Sequence, residues 1–235
     1  MAIILSLETS TKVCSVCLSN NHTIVAKKEL FEANSHATHL TVFIQDLFND
    51  LPDLSINDID AVAVSSGPGS YTGLRIGVSV AKGICYALHK PLIAITSLEC
   101  LAQAVINHSA LKGKTSKDTL FCPMIDARRM EVYTALFNAD MKLVEKISAR
   151  IIDEDSYKEI LDKHPMVFLG DGAEKCKDTI VHSNALFLDG QSPLASNMVN
   201  IAHKKFENSD FEDVAYFEPF YLKDFVATTP KKKVL

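Results

Sequence analysis

Residues 59–89 read IDAVAVSSGPGSYTGLRIGVSVAKGICYALH, and the order of residue types within this stretch decides the fold. Ala61 to Ser65 alternate small and β-branched residues, the mark of a strand buried on both faces. Gly67, Pro68 and Gly69 break it. Ser70 can cap a helix that runs from Tyr71 through Arg75 and Lys82 to about His89. A strand, a glycine turn and a helix N-terminus together can present backbone N–H groups to an anion. Gly67, Gly69, Ser70, Thr72 and Arg75 are therefore the candidate nucleotide or anion contacts. The stretch is nevertheless no P-loop, because Leu74 and Arg75 follow Gly73 where Lys-Ser/Thr is required. Nor is it a dinucleotide fingerprint, because Gly73 lies four residues after Gly69 and Pro68 removes a donor.

At about 100° per residue, Leu74, Val78, Ala81, Cys85 and Leu88 share one side of this helix. Gly73, Ile76, Gly77, Val80, Ile84 and Ala87 fill much of the opposite side, and the polar stripe of Arg75, Ser79, Lys82 and Tyr86 is narrow. A helix apolar over most of its circumference is covered on more than one side. The covering could come from its own domain or from a partner protein.

Around this stretch, Ile3 to Leu7 reads as a buried central strand. Val13 to Ser19 and Thr23 to Phe31 read as two more strands, joined by a hairpin at Asn20-Asn21. Ser35 can cap a helix from His36 to about Asn49, with Leu40, Phe43, Ile44 and Leu47 on one face. Leu92 to Ile95 is a short strand, and Thr96 or Ser97 caps a helix to about Asn107. The polar run from Lys112 to Asp118 is a candidate boundary. Beyond it, strands are expected at 120–125, 131–137, 143–152 and 167–169, with short helices near 155 and from about Ala173. A last helix is expected over 195–206, then an extended aromatic end over 217–225 and a basic tail, Pro230-Lys-Lys-Lys233.

The chain of 235 residues is 47% hydrophobic and 23% charged, enough to bury a core in one large or two small domains. A net charge of −5 argues against this chain as the principal nucleic-acid-binding surface. With no signal core and no apolar run of membrane-spanning length, a cytoplasmic protein with no membrane association is expected. The six cysteines are scattered through apolar segments and read as buried free thiols. Cys14 and Cys17 have C-x-x-C spacing, but residues three apart in a strand face opposite ways.

The remaining motifs have plain structural readings. Glu8-Thr-Ser-Thr11 reads as a turn capped by hydroxyls, and without glycine it is a poor phosphate cradle. His36 and His39 could share a metal if both lie on one helix, yet no third ligand is near, and core or interface histidines are expected. Asp126-Ala-Arg-Arg-Met-Glu-Val-Tyr133 reads as a hairpin in which Asp126 pairs with Arg128 or Arg129. Gly170-Asp-Gly172 reads as a strand-to-helix turn. No nucleophile elbow or Cys–His pair is seen.

Gly67-Pro-Gly-Ser-Tyr-Thr-Gly-Leu-Arg-Ile-Gly77 resembles the signature of the TsaB (YeaZ) family, which works in threonylcarbamoyladenosine modification of tRNA. Asp126 to Tyr133 is similar to that family's second motif, and Glu218-Pro-Phe-Tyr-Leu-Lys223 to its ending. The resemblance implies an α/β, actin-like (ribonuclease-H-like) fold of two subdomains, the second reduced. Residues 1–107 with about 195–235 would form the first subdomain and 108–194 the second. It implies a non-catalytic scaffold and activator that binds a TsaD-like transferase and a TsaE-like ATPase. It would touch tRNA only through that complex, which modifies an adenosine beside the anticodon of tRNAs reading codons that start with A, and would dimerise when alone. The helices at 36–49 and 71–89 would supply the interface, through His36, His39, Val42, Asp46, Gly73, Ile76, Gly77, Val80 and Ile84. No cofactor or metal would be held firmly, with ATP or ADP placed at the complex interface. The alternative is an actin-like ATP-binding enzyme or a glycoprotease-type hydrolase.

Overall fold

A computed structural model describes residues 2–32, 35–105 and 108–223. The basic tail, the end of the extended segment after residue 223, and the last two residues of the helix expected to reach 107 lie outside them.

The first half is one sheet. β1 (Ile3–Glu8), β2 (Cys14–Asn20) and β3 (Thr23–Leu30) form an antiparallel meander, with β2 in the middle. The hairpin turn falls at Asn21 and His22, one residue later than expected, and both take positive φ as such a turn demands. α1 (His36–Asn49) then crosses to β4 (Ala61–Gly67), which lies parallel to β1. α2 (Tyr71–Leu88) leads to β5 (Leu92–Thr96), parallel to β4. The order is β3-β2-β1-β4-β5.

After α3 (Ser97–Ala102) the same order recurs. β6 (Leu120–Asp126), β7 (Glu131–Phe137) and β8 (Leu143–Ile151) form a second antiparallel meander. α4 (Lys158–Leu161), β9 (Met166–Leu169), α5 (Asp171–Glu174) and β10 (Ala185–Leu188) complete a sheet of order β10-β9-β6-β7-β8. Here the crossover helices shrink to single turns. β10 is absent from the sequence reading, since Ala-Leu-Phe-Leu is too short a run to separate from a loop.

The helix expected from 195 begins as a 3₁₀ turn (Ala195–Met198) and continues as α6 (Val199–Glu207). α6 returns to the first sheet, where Met198 and Ala202 pack with Ile4, Ala63 and Ile93. The other face of that sheet carries Leu5 and Leu7 under Leu40 and Leu47 of α1 and Val78 and Ala81 of α2. Both faces are thus covered, which is why β1 and β4 read as near-continuous apolar runs. α3 joins the halves: Leu98 and Leu101 sit in the core of the second sheet, while Cys100 faces that of the first.

Two local expectations are corrected. Ser35 makes no side-chain cap on α1, its hydroxyl donating instead to the Glu32 carbonyl. α3 is shorter than expected, passing after Ala102 into a 3₁₀ turn at Gln103–Val105. Thr96 caps it, forming a capping box with Glu99. No helix among the described residues is long and apolar enough to cross a membrane.

Candidate functional site: the cleft between the sheets and the helix beside it

The two halves face each other across an open cleft of about 950 Å³. One wall is the loop after β1 together with the N-terminus of α2, and the other is the β6–β7 turn with the start of α5. Residues 220–223 run along its edge.

On the first wall, the loop at Thr9 and Ser10 packs into α2. The Ser70 side chain accepts from the Gly73 amide at 3.2 Å, capping the helix as its sequence predicts. The Ser70 amide itself donates to the Ser10 carbonyl at 2.7 Å. The Thr9 hydroxyl donates to the Gly73 carbonyl at 2.8 Å. A β-carbon on Gly69 would collide with the Ser10 carbonyl oxygen, and one on Gly73 with that of Thr9. The glycines of the motif therefore admit this chain's own loop.

Glu8 ends β1 and is fully buried. One carboxylate oxygen accepts from the Ser10 amide, while Oε2 has no hydrogen-bond partner, nor do the buried hydroxyls of Ser6, Ser10 and Ser65. Burial pushes its pKa up, against the hydrogen bond from the Ser10 amide that pulls it down. Glu8 thus belongs to the interior, although sequence alone reads it as part of a turn.

On the second wall, the expected pairing of Asp126 with Arg128 or Arg129 is replaced. Asp126 forms an ion pair with Lys175, and its Oδ1 accepts the Arg128 amide at 2.9 Å. Arg128 and Arg129 both adopt positive φ, which makes the tight turn between β6 and β7. The Asp126 amide donates to Asp171 Oδ1 at 3.0 Å. Burial, with the Asp126 charge beside it, raises the Asp171 pKa despite that bond. Sequence alone reads Asp171 only as part of a turn and does not single out Lys175, because their partnership with Asp126 spans 45 and 49 residues.

The residues assigned to an interface separate into two groups. His36 is buried with Nε2 3.1 Å from the Val13 carbonyl, whereas His39 turns its Nδ1 to the Ser35 carbonyl at 3.1 Å. The two rings thus do not converge on one point. Gly73 and Gly77 are buried, and Thr9 fills the space beside both. Their close neighbour in this chain is the loop at Thr9. Ile76, Val80 and Ile84 are partly buried at the edge of the first core, Asp46 is half-buried, and Val42 is exposed. Gly83 has open space where a side chain would be, and Tyr86 is exposed. Of the candidate anion contacts, Arg75 donates to the Tyr221 hydroxyl at 3.1 Å and lies over the Tyr71 ring. Thr72 is exposed at the cleft edge, and Gly67 lies beneath the Phe220 carbonyl.

Cys14 and Cys17 lie in separate apolar clusters on opposite faces of β2. All six cysteines are buried free thiols.

Two sheets of the same order, each a three-stranded antiparallel meander extended by two parallel strands, facing a common cleft, define an α/β protein of the actin-like class. The family described as "TsaD: tRNA N6-adenosine threonylcarbamoyltransferase" matches residues 30–231. The chain is similar to "tRNA threonylcarbamoyladenosine biosynthesis protein TsaB" of Escherichia coli (strain K12), with 30% identity over 95% of this chain and 96% of that protein. The protein of the same description from Bacillus subtilis (strain 168) is 31% identical over 78% of this chain and 74% of its own length. Among solved structures, "YeaZ from Pseudomonas aeruginosa" superposes with a TM-score of 0.75 at 24% identity, covering 94% of this chain and all of that one. This chain belongs to the TsaB (YeaZ) family.

Proposed function

We propose that the chain is a non-catalytic scaffold and activator in the machinery that makes N6-threonylcarbamoyladenosine beside the anticodon of tRNAs reading codons that start with A. The names of its relatives point to that modification. One observation carries the non-catalytic part: the Ser70 amide and the space at Gly69 and Gly73 are taken by the carbonyls of Ser10 and Thr9. A helix N-terminus can hold a phosphate only with free donors facing it. In this chain the loop that would cradle phosphate in an ATPase closes on the helix instead. The buried Glu8 supports the same reading, since its carboxyl does not reach the cleft.

In this reading a TsaD-like protein supplies the chemistry, a TsaE-like ATPase joins it, and tRNA is engaged through the complex. ATP or ADP is held where the subunits meet, with no nucleotide bound firmly by this chain alone. The partner-facing surface is the outer side of α1 and α2, where Val42, Ile76, Val80, Ile84 and Tyr86 leave apolar area in contact with water. The same surface pairs two copies when the partner is absent. The setting is cytoplasmic.

The test is depletion of this chain in its native cell, followed by nucleoside analysis of bulk tRNA and pull-down of the tagged chain. Loss of threonylcarbamoyladenosine, with a TsaD-like protein in the pull-down, is expected. Turnover of ATP or cleavage of protein by the purified chain alone, lost on Asp171→Asn, would establish the enzyme reading in its place.

A further inference from the structure

The segment after α6 is bound at three stations. At the first, Val214 and Phe217 pack on the core of the first sheet, and Lys82 of α2 donates to the carbonyls of Ala215 (3.1 Å) and Phe217 (2.9 Å). At the second, the Phe220 amide donates to the Ser66 carbonyl at the end of β4, at 2.7 Å. Gly67 makes this approach feasible: it holds φ +106°, and a β-carbon there would stand 2.8 Å from the Phe220 carbonyl oxygen. Tyr221 then sits against Tyr71, ring centroids 4.9 Å apart, with its hydroxyl on Arg75. At the third station the chain has crossed to the other half. Lys223 forms an ion pair with Glu131 at the start of β7, and its ammonium lies 6.0 Å from the Tyr133 ring.

The first two stations belong to the first sheet and the third to the second sheet. The connection through α3 is buried and apolar, whereas the Lys223–Glu131 pair is reached by water on the lysine side, with side chains 40% and 23% exposed. Exposed ion pairs form and break readily, because water competes for both charges. We propose that residues 213–223 are a clasp across the cleft, with the Lys223–Glu131 pair as its releasable end. When that pair opens, the halves can swing about α3 and the cleft widens, while the first two stations stay seated. The motif glycine at 67 thereby serves the closure of the cleft.

Spin-label distance measurement on the full chain tests this. Nitroxides are placed at Ala37→Cys on the first wall and Glu174→Cys on α5, both exposed sites. The six native thiols are buried and should not take the label. The labelled chain is diluted into unlabelled chain, so that only pairs within one molecule report. Lys223→Ala and Glu131→Gln should each give a longer mean distance and a wider distribution, and Lys223→Arg should keep the parent distribution. Circular dichroism on each variant checks the fold. Distributions unchanged in both Lys223→Ala and Glu131→Gln overturn the proposal, and so does an equal widening in Lys223→Arg.

Discussion

The Thr9 hydroxyl donates to the Gly73 carbonyl inside the first half of the chain, 2.8 Å away and 64 residues distant in sequence. The same hydroxyl occupies the place a β-carbon would take on Gly77. The two glycines differ in what opposes them: a main-chain oxygen at Gly73, a side-chain oxygen at Gly77. Gly73→Ala and Gly77→Ala should each destabilise the chain by about 1–3 kcal/mol, the ordinary cost of overpacking. Thr9→Ala should recover part of the loss in Gly77→Ala and none in Gly73→Ala. Urea midpoints of the three single and two double variants measure this, and equal recovery in both backgrounds would contradict the geometry.

Ser70 holds the first turn of α2 through its bond to the Gly73 amide. Ser70→Ala should cost about 1 kcal/mol of stability, the usual value of an N-cap hydroxyl. Ser70→Asp should restore most of it, because a carboxylate accepts the same bond and suits the positive end of the helix. Thermal or urea unfolding of both variants decides the matter.

Glu8 gives a pH dependence of definite sign. Its pKa is raised in the folded state by burial, so the folded chain binds its proton more tightly than the unfolded chain does. The folded state is then favoured below the unfolded pKa, and that advantage is lost as pH rises through the range between the two values. Glu8→Gln, which removes the titration, should be more stable relative to the parent at pH 7.5 than at pH about 4.5. Paired denaturation curves across that range measure the difference, and a gap that shrinks with rising pH would overturn the assignment.

Burial pushes the thiols of Cys17, Cys85 and Cys122 up to about 12 and that of Cys14 to about 11. Thiolate, the reactive form, is then scarce at neutral pH. A thiol-specific chromogenic reagent should find no fast-reacting group in the folded chain and all six after denaturation. One thiol reacting at the rate of a free cysteine in the native protein would show that a cysteine is open to solvent.

What the sequence disclosed and what it hid follow from the range over which the forces act. α2 is readable to within one residue, because Gly67-Pro-Gly69 and Ser70 stand directly before the element and the apolar spacing lies inside it. Its breadth of apolar surface was readable too, but not what covers it. Part of the cover is Thr9, more than sixty residues earlier, and part is Val214 and Phe217, more than a hundred later. Asp126 was singled out with the wrong partner for the same reason: local spacing favours Arg128, whereas the fold brings in Lys175. The histidines at 36 and 39 share a helix, yet each is taken by a different carbonyl. β10 was missed because parallel pairing with β9 is a property of the sheet and leaves no periodic trace in four residues.

The return of α6 to the first sheet has a consequence for how the chain is born. Ile4, Ala63 and Ile93 are all synthesised by residue 93, but Met198 and Ala202, which cover them, come more than a hundred residues later. The Ser15 hydroxyl likewise waits for the Ala195 amide, 180 residues on. At roughly 5–20 residues per second, the first sheet spends several seconds on the ribosome with one apolar face bare. During that interval the nascent sheet is a natural client for a chaperone, and a stall anywhere between β5 and α6 would leave it sticky.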